Sequence, residues 1–282
     1  MGKGLSGPKG DRTMAKTPKP RPLALITGAS GGIGESQAVR FARAGYDVGL
    51  VARSAEGLAN VAKRCEALKA QAHIFPADLQ DPASGAALEG AVRRAGLSPS
   101  ALVNNAGFGI LSPFYQAEMD GQLGMIDLNV RVLTELCRRF TADVIANKGG
   151  ILNVASTAAF QPGPGMAVYF ASKAYVLSFT EALDYELKLQ GAHATCLCPG
   201  PVETGFQARA TEGATIPRRP ADNRTLTADQ VAEAAFKAFR ARSPVIIPGG
   251  ANARLAFMAK MLPRQSILKR VAGIYYRPKA AG

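Results

Sequence analysis

Apolar residues along this chain come in short runs separated by stretches with helical spacing. Leu23–Thr27 is an apolar run that leads into glycines, the pattern of a strand buried on both faces. Residues 33–44 follow with Ile33, Ala38, Phe41 and Ala42 at helical intervals. The alternation then repeats. Strands are predicted at Asp47–Val51, His73–Phe75, Ala101–Val103, Gly150–Val154, Ala192–Cys198 and Val245–Ile247. Helices are predicted over 55–69, 82–94, 118–146, 167–189 and 228–241. Strands alternating with helices specify a parallel sheet covered on both faces. Right-handed crossovers make it a doubly wound, Rossmann-type α/β sheet of about seven parallel strands, with ligands at the strands' carboxyl ends. One domain over 22–250 accommodates it.

Composition leaves that picture intact and moves the charge to its edges. The 282 residues are 47% hydrophobic and 20% charged, an ordinary globular balance. The formal net charge is +13. Residues 1–21 carry +5 of it and residues 252–282 carry +7 with no acid, so the body is close to neutral. A nucleic-acid-binding body would carry a basic face of its own, so nucleic acid is not an expected partner. Residues 1–21, rich in Gly, Lys and Pro, are too apolar-poor to offset their ordering entropy and are expected to be disordered. No apolar run reaches the roughly 18 residues of a spanning helix, and the basic N-terminus lacks the apolar core of a secretory signal. The four cysteines are irregularly spaced and read as reduced thiols, which fits a cytoplasmic protein.

The first strand runs into Thr27-Gly-Ala-Ser-Gly-Gly-Ile-Gly34. Glycines let the backbone approach a pyrophosphate, and the following helix aims free N–H groups at it. The cluster sits after a strand and before a helix, the context a dinucleotide loop demands. Two glycine spacings fit, Gly28/Gly32/Gly34 and Gly28/Gly31/Gly34, and the loop alone does not choose between them. The second strand ends at Val51-Ala52-Arg53-Ser54, where an NAD site places a carboxylate for the ribose 2′-OH. Arg53 instead suits a 2′-phosphate, which points to NADP(H).

Tyr169 and Lys173 lie four apart on a predicted helix and therefore share a face. An ammonium there favours the phenolate and would lower the tyrosine pKa, making Tyr169 a usable proton donor or acceptor. Ser156 follows the fifth strand at the sheet's carboxyl end, and Asn129 lies in the long helix before it. With only His73 and His193 and no Cys-x-x-Cys, zinc is not expected. No G-x-S-x-G elbow surrounds Ser156, so a hydrolase is a poor reading.

On these residues the chain resembles the short-chain dehydrogenase/reductase family over about 23–250. Asn129, Ser156, Tyr169 and Lys173 match that family's catalytic tetrad in order. The resemblance implies that Tyr169 protonates the substrate oxygen and Ser156 orients it. Lys173 would lower the Tyr169 pKa and bind the nicotinamide ribose, and Asn129 would hold a relay water. It places Gly28, Ser30, Gly31, Gly32, Ile33 and Gly34 at the cofactor, with Asp78 and Leu79 beside the adenine. Asn105, Ala106 and Gly107 would line the cofactor from the turn after the fourth strand, and Pro199, Gly200, Val202 and Thr204 from beside the carboxamide. The stretch 151–205 is most similar to an NADP-preferring bacterial branch that also resembles 3-ketoacyl and hydroxysteroid reductases. Many NADP members carry a basic residue in the glycine loop. Ser30 or Gly31 stands there, so the cofactor assignment rests on Ala52 and Arg53.

The implied function is reduction of a ketone, aldehyde or 3-oxoacyl compound by a homodimer or homotetramer. A cofactor-binding regulatory protein is the alternative from another class, and the intact tetrad argues against it. An epimerase or dehydratase of the same superfamily would need a larger C-terminal domain than the residues after Ile247 provide. Phe108, Phe160–Met166 and the irregular 205–224 segment are expected to shape the substrate pocket. Arg209, Arg218, Arg219 and Arg224 raise an acidic substrate such as an acyl-CoA, against a reading as solvated loop charges. The extension 251–282 mixes apolar residues with bases, which fits a membrane surface, a subunit contact or packing on the domain.

Overall fold

The structure, a computed structural model, describes residues 21–211 and 225–276. Seven strands form one parallel sheet: β1 (Leu23–Thr27), β2 (Asp47–Ala52), β3 (Ala72–Pro76), β4 (Pro99–Asn104), β5 (Gly150–Val154), β6 (His193–Leu197) and β9 (Val245–Ile246). Their order is β3-β2-β1-β4-β5-β6-β9. The chain winds one way from β1 to β3 and the other way from β4, so the switch point falls between β1 and β4.

Successive residues of β1 face opposite sides, as the pleat requires. Ala24 and Ile26 pack with α1 (Gly32–Arg43), α2 (Ala55–Glu66) and α8 (Ala228–Arg240), while Leu25 packs with α3 (Ser84–Arg94), α5 (Val132–Ala146) and α6 (Ala167–Lys188). Phe41 anchors the first layer, fully buried and edge-on to Phe236 (4.9 Å) and Phe239 (5.5 Å). Burying such a side chain contributes roughly 1.5–3 kcal/mol.

The stretch 118–146 differs from one continuous α-helix. It is α4 (Met119–Ile126), a single π turn over Asp127–Arg131, then α5. The extra residue of the π turn rotates Asn129 inward, where it is fully buried. Arg131 spans the turn by pairing with Asp127 and Glu135.

The irregular 205–224 segment is flanked by a short two-stranded parallel pair, β7 (Val202–Glu203) with β8 (Leu226–Thr227), and begins with a short helix α7 (Phe206–Ala210). Arg218, Arg219 and Arg224 lie outside the described residues, as does the tail 1–20 for which disorder was expected. Arg21, counted with that tail by sequence, is held in place. It donates to the Lys69, Ala42 and Tyr46 carbonyls and pairs with Asp47. The C-terminal extension forms two helices, α9 (Gly250–Met261) and α10 (Arg264–Tyr275), broken at Pro263 because proline cannot continue a helix. No helix among the described residues is long and apolar enough to cross a membrane.

Candidate active site

The glycine loop is built by three positions with different jobs. Gly28 (φ 64°) and Gly32 (φ 58°) adopt left-handed backbone. A Cβ at Gly34 would overlap the Gly28 carbonyl, so the start of α1 can close on the loop only with glycine there. Gly31 has extended backbone and faces open space. Of the two spacings that fit the sequence, Gly28/Gly32/Gly34 is the one the backbone requires. No side chain caps α1, so its first N–H groups are left without a side-chain partner at the loop. That cradle fits a pyrophosphate.

The carboxyl end of β1 is braced from β4. Thr27 Oγ1 accepts from the Asn105 and Ala106 N–H groups (3.0 Å each), and Asn105 Nδ2 donates to the Thr27 carbonyl (2.9 Å). Behind it a buried polar chain runs from Asn104 to Asn153 (2.9 Å) and on to Thr180 (3.0 Å). Around the loop, Thr204 packs on Gly32, while Ser30 lies against Gly57 near Ser54, the N-cap of α2. Arg53 is exposed at the end of β2. Asp78 is exposed with its carboxylate accepting from the Gln80 N–H (3.1 Å), and Leu79 is buried.

The tetrad positions converge at the ends of β4 and β5. A Cβ at Gly107 would stand 2.8 Å from Asn129 Oδ1 and 3.3 Å from Lys173 Nζ, so both polar atoms meet at that backbone. Asn129 is locked by two bonds with the Phe108 backbone and one to Ser172. Ser156 accepts from the Ala158 N–H (3.2 Å) and donates to the Pro199 carbonyl (3.4 Å), which ties β5 to the 199–204 arch. Lys173 Nζ donates to the Val154 carbonyl at 2.9 Å.

Burial governs the charges here. It pushes the Tyr169 phenol up to about 12, opposed by the Ser156 hydroxyl. It pushes Lys173 down to about 8. The lowering of Tyr169 by Lys173 expected from sequence is therefore absent in this geometry. The ammonium is aimed at Val154 and sits 5.8 Å from the tyrosine ring centroid, while the apolar enclosure penalises the phenolate.

That enclosure comes partly from residues the sequence did not flag. Tyr169 clusters with Leu111, Met166 and Phe108, but also with Ile267 and Val271 of α10. Phe206 lies 5.5 Å from its ring, and Tyr275 lies 5.7 Å from Phe170. The repeat Ile267, Val271, Tyr275 at four-residue intervals was the available signal. Phe160 packs with the α5–α6 side of the sheet core instead. Asn252 of α9 is buried against Gly200 and donates to the Pro248 carbonyl. Cys196 and Cys198, with Sγ atoms 3.7 Å apart, are free thiols, as are the other two cysteines. Among the described residues no group of three His, Cys, Asp or Glu could hold a metal ion.

The short chain dehydrogenase family model matches residues 22–215. Sulfoacetaldehyde reductase 2 of Chromohalobacter salexigens is 32% identical over 219 residues, covering 76% of this chain and 86% of the relative. A short-chain dehydrogenase from Sphingobium yanoikuyae in complex with NADPH superposes with TM-score 0.72 at 32% identity, covering 93% of this chain and 98% of that one. A bulky-bulky ketone specific alcohol dehydrogenase from Comamonas testosteroni superposes with TM-score 0.71 at 28% identity, covering 93% and 96%. The chain belongs to the short-chain dehydrogenase family. It is an oxidoreductase acting on the CH–OH/C=O pair with a nicotinamide cofactor.

Proposed function

We propose that the protein is an NADP(H)-dependent reductase of bulky, apolar carbonyl compounds, with Tyr169 as the general acid. The observation that carries this is the apolar enclosure of Tyr169 by Leu111, Met166, Phe206 and the inner face of α10. A ketone with two large substituents suits such walls, and the Comamonas relative is described in those terms. NADP(H) is favoured because β2 ends without a carboxylate, while Arg53 stands exposed immediately after it and suits a 2′-phosphate.

The bound nicotinamide supplies the hydride. Tyr169, held neutral by burial, donates its phenolic proton to the substrate oxygen as that oxygen gains charge. Ser156 hydrogen-bonds the same oxygen and fixes its direction. Lys173, near about 8, takes and returns the proton that recharges Tyr169. Asn129 positions that relay, because its Oδ1 and Lys173 Nζ meet at Gly107. Gly28, Gly31, Gly32, Ile33 and Gly34 would hold the pyrophosphate, and Asp78 and Leu79 would border the adenine. Ala106, Gly107, Pro199, Gly200, Val202 and Thr204 would complete the nicotinamide side.

A homodimer or homotetramer belongs to the same reading. Met119, Leu123 and Ile126 leave an exposed apolar stripe on α4, a surface that a second copy would cover. Initial rates with NADPH and NADH against aryl ketones, small aldehydes and sulfonated aldehydes test the whole. Preference for NADPH and the aryl ketones supports it. Preference for the sulfonated aldehyde, as the name of the Chromohalobacter relative suggests for that protein, overturns the substrate class.

A further inference from the structure

The C-terminal helices have two unlike faces. The inner face is spent on the domain: Asn252 and Ala256 of α9 and Ile267 and Val271 of α10 are buried. On α9, Arg254, Met258 and Met261 follow at helical spacing on the side turned away from Asn252 and Ala256. Phe257 is 65% exposed and Met261 72%, and Leu255 and Leu262 are also exposed. Large apolar side chains rarely gather in solvent on a monomer without a partner for them.

The charge around this patch decides which partner. Arg254, Arg264, Lys269 and Arg270 are all exposed on the two helices. No acid stands anywhere in 252–282. A second copy docking through this face would set bases against their own equivalents with no carboxylate between them. An anionic lipid surface meets both requirements, taking the apolar side chains between its headgroups and pairing the bases with its phosphates.

We propose that the exposed faces of α9 and α10 form a peripheral docking surface for anionic lipid membranes. The second of these helices, α10, also packs on the Tyr169 cluster, through Ile267, Val271 and Tyr275. Docking would therefore bring the Tyr169 cluster near the bilayer, the phase into which apolar carbonyl compounds partition. The docking itself does not depend on the proposed substrate or activity.

Co-sedimentation of the full chain with vesicles tests this directly. One set is phosphatidylcholine alone and the other an equimolar mixture with phosphatidylglycerol. Phe257→Ser/Met261→Ser and Lys269→Gln/Arg270→Gln are compared with wild type, each checked for an unchanged circular-dichroism melt. All keep the basic N-terminal tail, so any difference reports on α9 and α10. Wild type is expected to sediment with the phosphatidylglycerol vesicles. Each lost base is expected to weaken partition roughly fivefold, and the apolar pair to weaken it at least as much. Equal binding to both vesicle types, or variants that bind like wild type, overturns the proposal. So does splitting of an oligomer by the Phe257/Met261 variant in lipid-free sedimentation equilibrium, which would assign the face to a second copy.

Discussion

The ammonium of Lys173 lies 5.8 Å from the ring centroid of Tyr169, one helical turn away, and donates to the Val154 carbonyl. Both side chains are buried, and burial moves their protonation in the direction that removes charge: Tyr169 up to about 12, Lys173 down to about 8. The pair is thus a neutral acid beside a readily discharged base.

Stability should record the lysine's position. A folded-state pKa of about 8, below the ordinary lysine value of 10.5, means that the unfolded chain binds more protons in that window. Stability therefore rises with pH from about 8 to 10.5 through this group, and below about 8 its full penalty is present. Lys173→Met should raise Tm at pH 7, by a free energy on the order of 1–3 kcal/mol. The gain should vanish by pH 10.5. Thermal melts of both proteins across that range check it, and a pH-independent difference would contradict the assignment.

Tyr169→Phe removes the proposed proton donor and leaves the packing. The reduction rate should fall by about 10²–10⁴-fold, while NADPH affinity, read by fluorescence titration, stays within twofold or so. In wild type, kcat/KM for alcohol oxidation should climb with pH towards the Tyr169 value of about 12, because oxidation needs the phenolate. Reduction should stay level through neutral pH.

Arg53→Ala should raise KM for NADPH about 10–100-fold, the worth of one or two charge-assisted bonds. KM for NADH should barely move. Equal losses with both cofactors would mean that Arg53 supports the loop and does not read the 2′-phosphate.

Two glycine substitutions should separate scaffold from cradle. Gly34→Ala drives a methyl into the Gly28 carbonyl and should lower Tm and abolish cofactor binding together. At Gly31 a Cβ meets only open space, so Gly31→Ala should fold normally and lose affinity for the cofactor alone. Differential scanning fluorimetry with and without NADPH distinguishes the two.

In the core, Phe41→Ala should cost about 3–5 kcal/mol by transfer and cavity terms, read from urea unfolding. Its three aromatic neighbours, Tyr46, Phe236 and Phe239, cannot all close the gap.

The sequence by itself determined the sheet and its chemistry-bearing ends. Periodicity is a local property, and burial on two faces writes it into each run, so β1 and β5 fall where the apolar runs predict. The placement of Asn129, Ser156, Tyr169 and Lys173 near the strand ends, and of the glycine turn after β1, was legible for the same reason, since each depends on short spacings tied to strand ends. Tertiary structure alone decided what surrounds them. The π turn that buries Asn129, the choice of Gly32 over Gly31, and the seating of Phe206 beside Tyr169 depend on residues far apart in the chain. The pKa reversal of Tyr169 followed from that enclosure, because desolvation is set by every neighbour while helical spacing reports only one. The basic extension was visible as charge and apolar content, and its division into an inner wall and an outer face required the domain it packs against.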